Sequence, residues 1–307
     1  MQVLGIDIGF GFTKVYSGQK ECVFPSKVAP WVPSEFDSLP YVVVNNSKYL
    51  TGHFVDDAGI DSIPTTFAGF TETPYWLALF TRACLEMGAY KVSACLGFPP
   101  KMFSQEYLSR VTENLKKACL GDGNVTIQVD RVYFVPQGMG AFIAYAYSNH
   151  SVMEEKVVVM DLGFYTFDFV VVNKGKYQGF EGYDKGIKYL VDMVKSKVSK
   201  VYHLFIDDTQ AEQALKEGYF IHFGRVYEVD LTEELRNYKE YLKGVIRAYA
   251  QKIGGGVQRV LLAGGGFNVI GPLTGGQLIE NPWMANAKGY YLWAIKQEGG
   301  QNYESNS

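Results

Sequence analysis

The chain has 307 residues, 47% hydrophobic and 20% charged, which is enough for two domains and typical of an ordered globular protein. Its net charge of −3 gives no general reason to expect nucleic-acid binding, and no apolar run approaches the ~18 residues that a membrane span needs. Cys22, Cys84, Cys95 and Cys119 have neither CxxC nor zinc spacing, the four histidines are scattered, and no secretory signal opens the chain, so reduced thiols in a cytoplasmic protein are expected.

Strand-like runs come first, at 2–8, 12–17, 21–24 and 41–45. Thr73 to Met87 has helical spacing with Gly88 as its stop, and Val92 to Leu96 reads as a short buried strand. Ser104 is placed to cap a helix with Leu108, Val111 and Leu115 on one face. Val125 to Val135 predicts a strand ending at Pro136, and the small, apolar stretch Gly138 to Tyr147 predicts a helix crossing between two domains. Three strands are expected over 156–180, then a helix over Asp184 to Lys200 with Ile187, Leu190, Val191 and Val194 as its stripe. Lys195, Lys197 and Lys200 read as the solvated face of that helix. Asp230 to Ile253 predicts the longest helix. Its Leu231, Leu235, Tyr238, Leu242, Val245 and Tyr249 recur in steps of three and four, a core-facing stripe without the flanking charge pairs of a coiled coil. Residues 299–307 read as a disordered tail. Strand–strand–helix units occur twice, which indicates a duplicated α/β architecture.

One short pattern recurs in altered form. Asp7-Ile8-Gly9-Phe10-Gly11-Phe12-Thr13-Lys14 follows an apolar strand and leads into another, as does Asp161-Leu162-Gly163-Phe164-Tyr165-Thr166-Phe167-Asp168. An acid at a strand end, then glycine, then a second strand describes a β-hairpin with a tight, glycine-permitted turn. Two such hairpins can grip a polyphosphate through backbone N–H groups while their carboxylates hold a metal. A third element, Val260 to Ala263 running into Gly264-Gly265-Gly266, would let the backbone approach a flat ligand that a Cβ would block.

The order of these elements, with Val135-Pro136-Gln137-Gly138-Met139-Gly140-Ala141 between the hairpins, resembles the phosphate-1, connect-1, phosphate-2 and adenosine motifs of the actin superfamily. Within it the chain is most similar to the plasmid-segregation and archaeal actin-like proteins, the ParM/StbA group. Phe24-Pro25-Ser26-Lys27, Gly97-Phe98-Pro99-Pro100 and Ala285-Asn286-Ala287-Lys288-Gly289-Tyr290 add to that resemblance. It implies a duplicated actin-like (ribonuclease H-like) α/β fold with a nucleotide cleft between two domains, 1–137 with 284–298 and 138–283.

The resemblance also implies roles. Asp7 and Asp161 match the acids that hold the hydration shell of a nucleotide-bound Mg²⁺, and Asp161 joins Gln137 as catalytic. Lys14 matches the phosphate-contacting lysine; a surface lysine at a strand edge is its other reading. Gly9, Phe10, Gly11 and Phe12, with Gly163, Phe164, Tyr165 and Thr166, would surround the phosphates, and Gly264, Gly265, Gly266 and Asn268 the adenosine. Asn268 could instead cap the following helix. Gln137 matches the position that orients the attacking water, with capping of the helix after Pro136 as the alternative. Thr166 with Asp168 would shape the loop or touch the metal shell. Phe164-Tyr165 departs from the further glycine many members carry, so fewer backbone donors are expected on that side.

A P-loop would need GxxxxGK[ST], and a Rossmann fingerprint GxGxxG opening a helix; neither is present. A small-molecule kinase of the same fold remains an alternative; a chaperone is disfavoured because the chain ends soon after the adenosine motif. The expected function is a Mg-dependent ATPase, with GTP as a second candidate nucleotide, that polymerises into filaments for plasmid segregation or as a cytoskeletal element. Its expected partner is itself, with a plasmid-DNA-binding adaptor as a further candidate and neither direct nucleic-acid nor membrane binding.

Overall fold

A computed structural model describes residues 1–33, 39–67 and 69–304, with backbone alone for 300–304. The chain divides into two compact units, Met1–Met153 with Ile279–Ser307, and Glu154–Leu278.

In the first unit β1 (Gln2–Ile8), β2 (Phe12–Tyr16) and β3 (Glu21–Pro25) form an antiparallel meander, with Leu4, Ile6 and Val15 fully buried. The short strands β4 (Val28–Pro30), β5 (Val42–Val44) and β6 (Ser47–Thr51) follow, then α1 (His53–Asp57). α2 (Pro74–Glu86) begins where Thr73 accepts the Trp76 N–H, with Pro74 at a position whose N–H would be unpaired anyway. β7 (Lys91–Phe98) runs parallel to β1, α3 (Gln105–Lys117) is capped by Ser104, and after β8 (Leu120–Gly121) the strand β9 (Thr126–Pro136) runs parallel to β7. The nine strands lie in the order β3-β2-β1-β7-β9-β8-β5-β6-β4. α4 (Met139–Ser148) comes next.

The second unit repeats the scheme. β10 (Lys156–Leu162), β11 (Phe167–Asn173) and β12 (Lys176–Tyr183) form a meander, followed by α5 (Ile187–Tyr202) and by α6 (Asp208–Glu217) with its Asp207–Gln210 capping box. A hairpin, β13 (Tyr219–His222) with β14 (Arg225–Glu228), leads to α7 (Thr232–Ile253). β15 (Arg259–Ala263) pairs parallel with β10, and α8 (Gly266–Ile270) and β16 (Gln277–Leu278) complete the unit. The order β12-β11-β10-β15-β16 reproduces β3-β2-β1-β7-β9 in sequence and direction, so the duplication read from the chain is present in the sheets. On α7 the stripe faces the core: Tyr238 and Leu242 are fully buried, and such a side chain contributes roughly 1.5–3 kcal/mol.

α9 (Ala285–Glu304) returns to the first unit. It lies so close to β1, β7 and α4 that glycine is needed at the contacts. A Cβ on Gly5 would fall 2.0 Å from the Ala287 oxygen, one on Gly97 1.9 Å from the Tyr290 hydroxyl, and one on Gly289 1.8 Å from the Gly140 oxygen. Three expectations change. α4 packs on α9 inside the first unit, so the division of the chain falls after it, near Met153, not at 138. α9 also carries helix through most of the expected tail, to Glu304, because extending a formed helix needs no new nucleus; residues 305–307 lie outside the described residues. Finally α5 starts at Ile187, three residues later than its spacing suggested, because Gly186 before it is extended, with its N–H bonded to the Tyr165 oxygen.

All four cysteines are free thiols, and burial pushes those of Cys84 and Cys95 well up, which keeps them protonated and inert. Among the described residues no helix is long and apolar enough to cross a membrane.

Candidate functional site

In the first unit Asp7 lies near the carboxyl end of β1, buried to 6% exposure. Cross-strand register sets it opposite Lys14, whose Nζ donates to Asp7 Oδ2 at 3.0 Å. β2 is flanked by β1 and β3, so Lys14 is an inner-strand residue paired to an acid, not a surface lysine at an edge. Gln137 is the first residue beyond β9, and its N–H donates to the Phe98 oxygen at 2.8 Å. The N-cap of α4 is Gly138, in the left-handed region, with no side-chain cap bond, which removes the capping reading of Gln137. Asp7 and Gln137 thus share the carboxyl edge of parallel strands two places apart, roughly 10 Å by strand spacing. That edge is where open α/β sheets bind ligands.

The three-residue turn between β1 and β2 is tied back through its carbonyls. Ser26 Oγ donates to the Gly9 oxygen at 2.6 Å, Thr65 Oγ1 to that of Phe10 at 2.8 Å, and the Ser26 N–H to that of Gly11 at 2.9 Å. Neither Gly9 nor Gly11 has positive φ. Gly9 is set by closeness instead, since a Cβ there would meet the Phe12 oxygen at 3.0 Å.

In the second unit Asp161 occupies the place of Asp7 and is 7% exposed. Its register partner is Asp168, 5% exposed, whose Oδ2 accepts from Thr166 Oγ1 at 2.7 Å. Where the first hairpin sets an acid against a lysine, the second sets two acids side by side, and like charges directly opposite repel. The Gly163–Thr166 turn is tied back by another route: Gly186, Ile187 and Lys188 donate their N–H groups to the oxygens of Tyr165, Gly163 and Phe164 at 3.0, 3.1 and 2.7 Å. The turn therefore satisfies the donors that open α5. Phe164 packs against the core of the unit, which accounts for the bulky residue in place of a glycine. Tyr165 has its hydroxyl pKa raised by burial. Lys188 is held above the ordinary lysine value: burial opposes its charge, but hydrogen bonds to Asp192 and Asp208 outweigh that.

The glycine run beside them has a packing reason. Gly264 has φ +91°, and a Cβ there would lie 2.4 Å from Asp161 Oδ1 and 2.4 Å from the Leu162 oxygen; one on Gly266 would lie 2.4 Å from Leu162 Cγ. These two glycines are imposed by the end of β10 itself. Gly265 is the N-cap of α8, so Asn268, exposed within that helix, does not cap it.

The structure therefore gathers Asp7, Gly9 to Phe12, Lys14 and Gln137 on one strand edge, and Asp161, Gly163 to Thr166, Asp168 and Gly264 to Gly266 on another. Three further residues belong with them. Ser26 lies in a segment already notable for its resemblance, whereas Thr65 and Gly186 carry no sequence signal, since their partners are distant or backbone. Gly186→Ala should lower stability by about 1–3 kcal/mol in a denaturant melt, because its Cβ would come within 2.6 Å of the Gly163 and Phe164 oxygens. A variant as stable as the parent would mean that the turn yields to α5.

No curated protein sequence matches the chain. A family model described as the N-terminal domain of actin-like proteins matches residues 5–140. Among solved structures, the archaeal actin homologue Ta0583 in complex with ADP is similar at 22% identity and a TM-score of 0.81, covering 96% of this chain and 100% of that one. A 15-stranded ParM filament from Clostridium botulinum is similar at 20% identity and a TM-score of 0.76, covering 96% and 99%. An apo ParM of psk41 follows at 18% identity and a TM-score of 0.74, covering 97% and 98%. With the duplicated sheets and recurrent hairpins, these findings show a two-domain actin-like fold in which residues 5–140 are similar to the N-terminal domain of actin-like proteins.

Proposed function

We propose that the chain is an ATPase whose nucleotide state governs its assembly into filaments. The observation that carries this reading is the recurrence of one hairpin in both units, each with a buried acid at the corresponding position and turn carbonyls bonded back into its own unit. An archaeal homologue of the same fold solved with ADP, and a ParM solved as a filament, support it.

In this reading each turn is a phosphate-binding element for a nucleotide. Gly9 to Phe12 and Gly163 to Thr166 surround its phosphates, Lys14 offsets their charge, and Gly264 to Gly266 with Asn268 lie at the adenosine. Asp7 and Asp161 hold a nucleotide-bound Mg²⁺ through water. The donor set fits such an ion: hard carboxylate oxygens, and among the described residues no group of three or more ligands able to hold a metal alone. Mg²⁺ keeps much of its water and takes only one or two carboxylates beside the phosphates. When bound, it neutralises charge on the phosphate oxygens. Gln137 is no base, but its amide can accept from and donate to a water and hold it in line, which suffices where positioning dominates phosphoryl transfer. GTP is the second candidate nucleotide. Self-association is the primary interaction, with a DNA-binding adaptor as a further partner and the cytoplasm as the compartment.

Sedimentation with Mg-ATP, Mg-GTP, ADP or no nucleotide tests the whole. Assembly should show a critical concentration and depend on nucleotide, since head-to-tail contacts that do not close on themselves build filaments. Gln137→Ala should keep nucleotide binding and assembly but slow hydrolysis roughly ten- to a thousandfold, leaving longer-lived filaments. A protein that stays monomeric in Mg-ATP well above micromolar concentration would sink the filament reading, and phosphorylation of an added small molecule would favour a kinase.

A further inference from the structure

We infer that Ser26 and Thr65 are positioning residues for the nucleotide: their hydroxyls set the peptide planes of the β1–β2 turn and so decide how strongly it binds a polyphosphate. This rests on the proposed nucleotide site and adds two residues that touch no ligand.

The argument begins with proton count. A serine hydroxyl has one proton to give, and that of Ser26 goes to the Gly9 oxygen at 2.6 Å. The contact between Ser26 Oγ and Thr13 Oγ1, at 2.9 Å, must then have Thr13 as donor. Thr13 is fully buried and Ser26 is 3% exposed, so the relay Thr13 to Ser26 to Gly9 lies in a low-dielectric setting where each bond strengthens the next. Thr65, 7% exposed, reaches the Phe10 oxygen at 2.8 Å from a different segment.

A trans peptide is planar, with its carbonyl and the following N–H pointing opposite ways. Holding the Gly9 oxygen toward Ser26 aims the Phe10 N–H away from Ser26. Holding the Phe10 oxygen toward Thr65 likewise aims the Gly11 N–H away from Thr65. The Ser26 N–H on the Gly11 oxygen fixes the next plane as well. Without these bonds the turn, which has no left-handed residue to lock it, is free to rotate its peptides. Each rotated plane then presents a carbonyl where a phosphate needs a donor.

Thr65's own anchorage is firm. The Ile63 N–H donates to the Val28 oxygen at 2.8 Å, and Ser62 Oγ accepts from the Val28 N–H at 3.1 Å. Since Val28 lies two residues after Ser26, both hydroxyls are held by the same crossing of chain. They act as one frame beneath the turn.

The test compares Thr65→Val, which removes the hydroxyl at nearly constant shape, with Thr65→Ser, which keeps it, and with Ser26→Ala. Affinity for Mg-ATP and Mg-ADP is measured by titration calorimetry beside thermal melting. We expect Thr65→Val and Ser26→Ala each to weaken Mg-ATP binding by roughly three- to tenfold, the size of one hydrogen bond, with Thr65→Ser near the parent. A fall in melting temperature with unchanged affinity would make the hydroxyls merely structural and overturn the inference. So would loss of affinity in Thr65→Ser equal to that in Thr65→Val. If the parent binds no Mg-nucleotide, the proposed function falls and this inference with it; if the parent binds and the variants match it, only the inference falls.

Discussion

Asp161→Asn should abolish Mg-dependent phosphate release, lowering the rate by at least about a hundredfold, while the protein keeps its fold. Asparagine has nearly the same shape, so the close approach of the Asp161 side chain to Gly264 is preserved. What is lost is one of two buried carboxyl groups set in register across β10 and β11. Removing it relieves repulsion with Asp168, so the melting temperature should stay level or rise while turnover disappears. That opposition, stability held or gained and activity lost, separates a functional charge from a structural one. Phosphate release followed with a coupled assay, beside a thermal melt, checks both halves. Unchanged release in a folded variant would remove Asp161 from the catalytic centre.

Gly289→Ala should be the most damaging small substitution outside the site, costing about 3 kcal/mol or more. Its Cβ would stand 1.8 Å from the Gly140 oxygen and 2.7 Å from the Gly140 Cα, so one of two helix backbones must move. α9 also touches β1 and β7 through Gly5 and Gly97, which leaves it little room to shift. Such a loss is a large fraction of the 5–15 kcal/mol that holds a typical domain. Gly244→Ala provides the contrast. It lies in mid-α7 with nothing within 4 Å of its Cβ position, and alanine there should stabilise by about 0.5–1 kcal/mol through helix propensity. Chemical denaturation of the two variants should therefore move in opposite directions. Equal effects would mean that the contact between α4 and α9 is looser than their backbones indicate.

The chain by itself determined the repeating parts. β1 with β2 and β10 with β11 were legible because an apolar run, an acid and a short turn are local signals, as were the caps at Thr73 and Ser104 and the stripe of α7. The acids Asp7 and Asp161 could be singled out because each closes an apolar run that must be buried. Tertiary structure alone decided what those acids face. Asp7 meets Lys14 and Asp161 meets Asp168 only once the register is set, and a one-residue slip would turn each to the other side of its sheet. It also decided which glycines matter and why. Gly264 and Gly266 looked like room for a ligand, yet the end of β10 already requires them, while Gly5 carried no mark, and Gly97, Gly140 and Gly289 no packing reason, until α9 was seen against them. Such contacts join distant stretches of chain, as in the bond from the Ala141 N–H to the side-chain Oδ1 of Asn286 over 145 residues. A glycine chosen for closeness to a distant backbone leaves no periodicity behind. The same holds for Thr65, whose hydroxyl finds a carbonyl 55 residues away, so the frame under the first turn exists only in the folded chain.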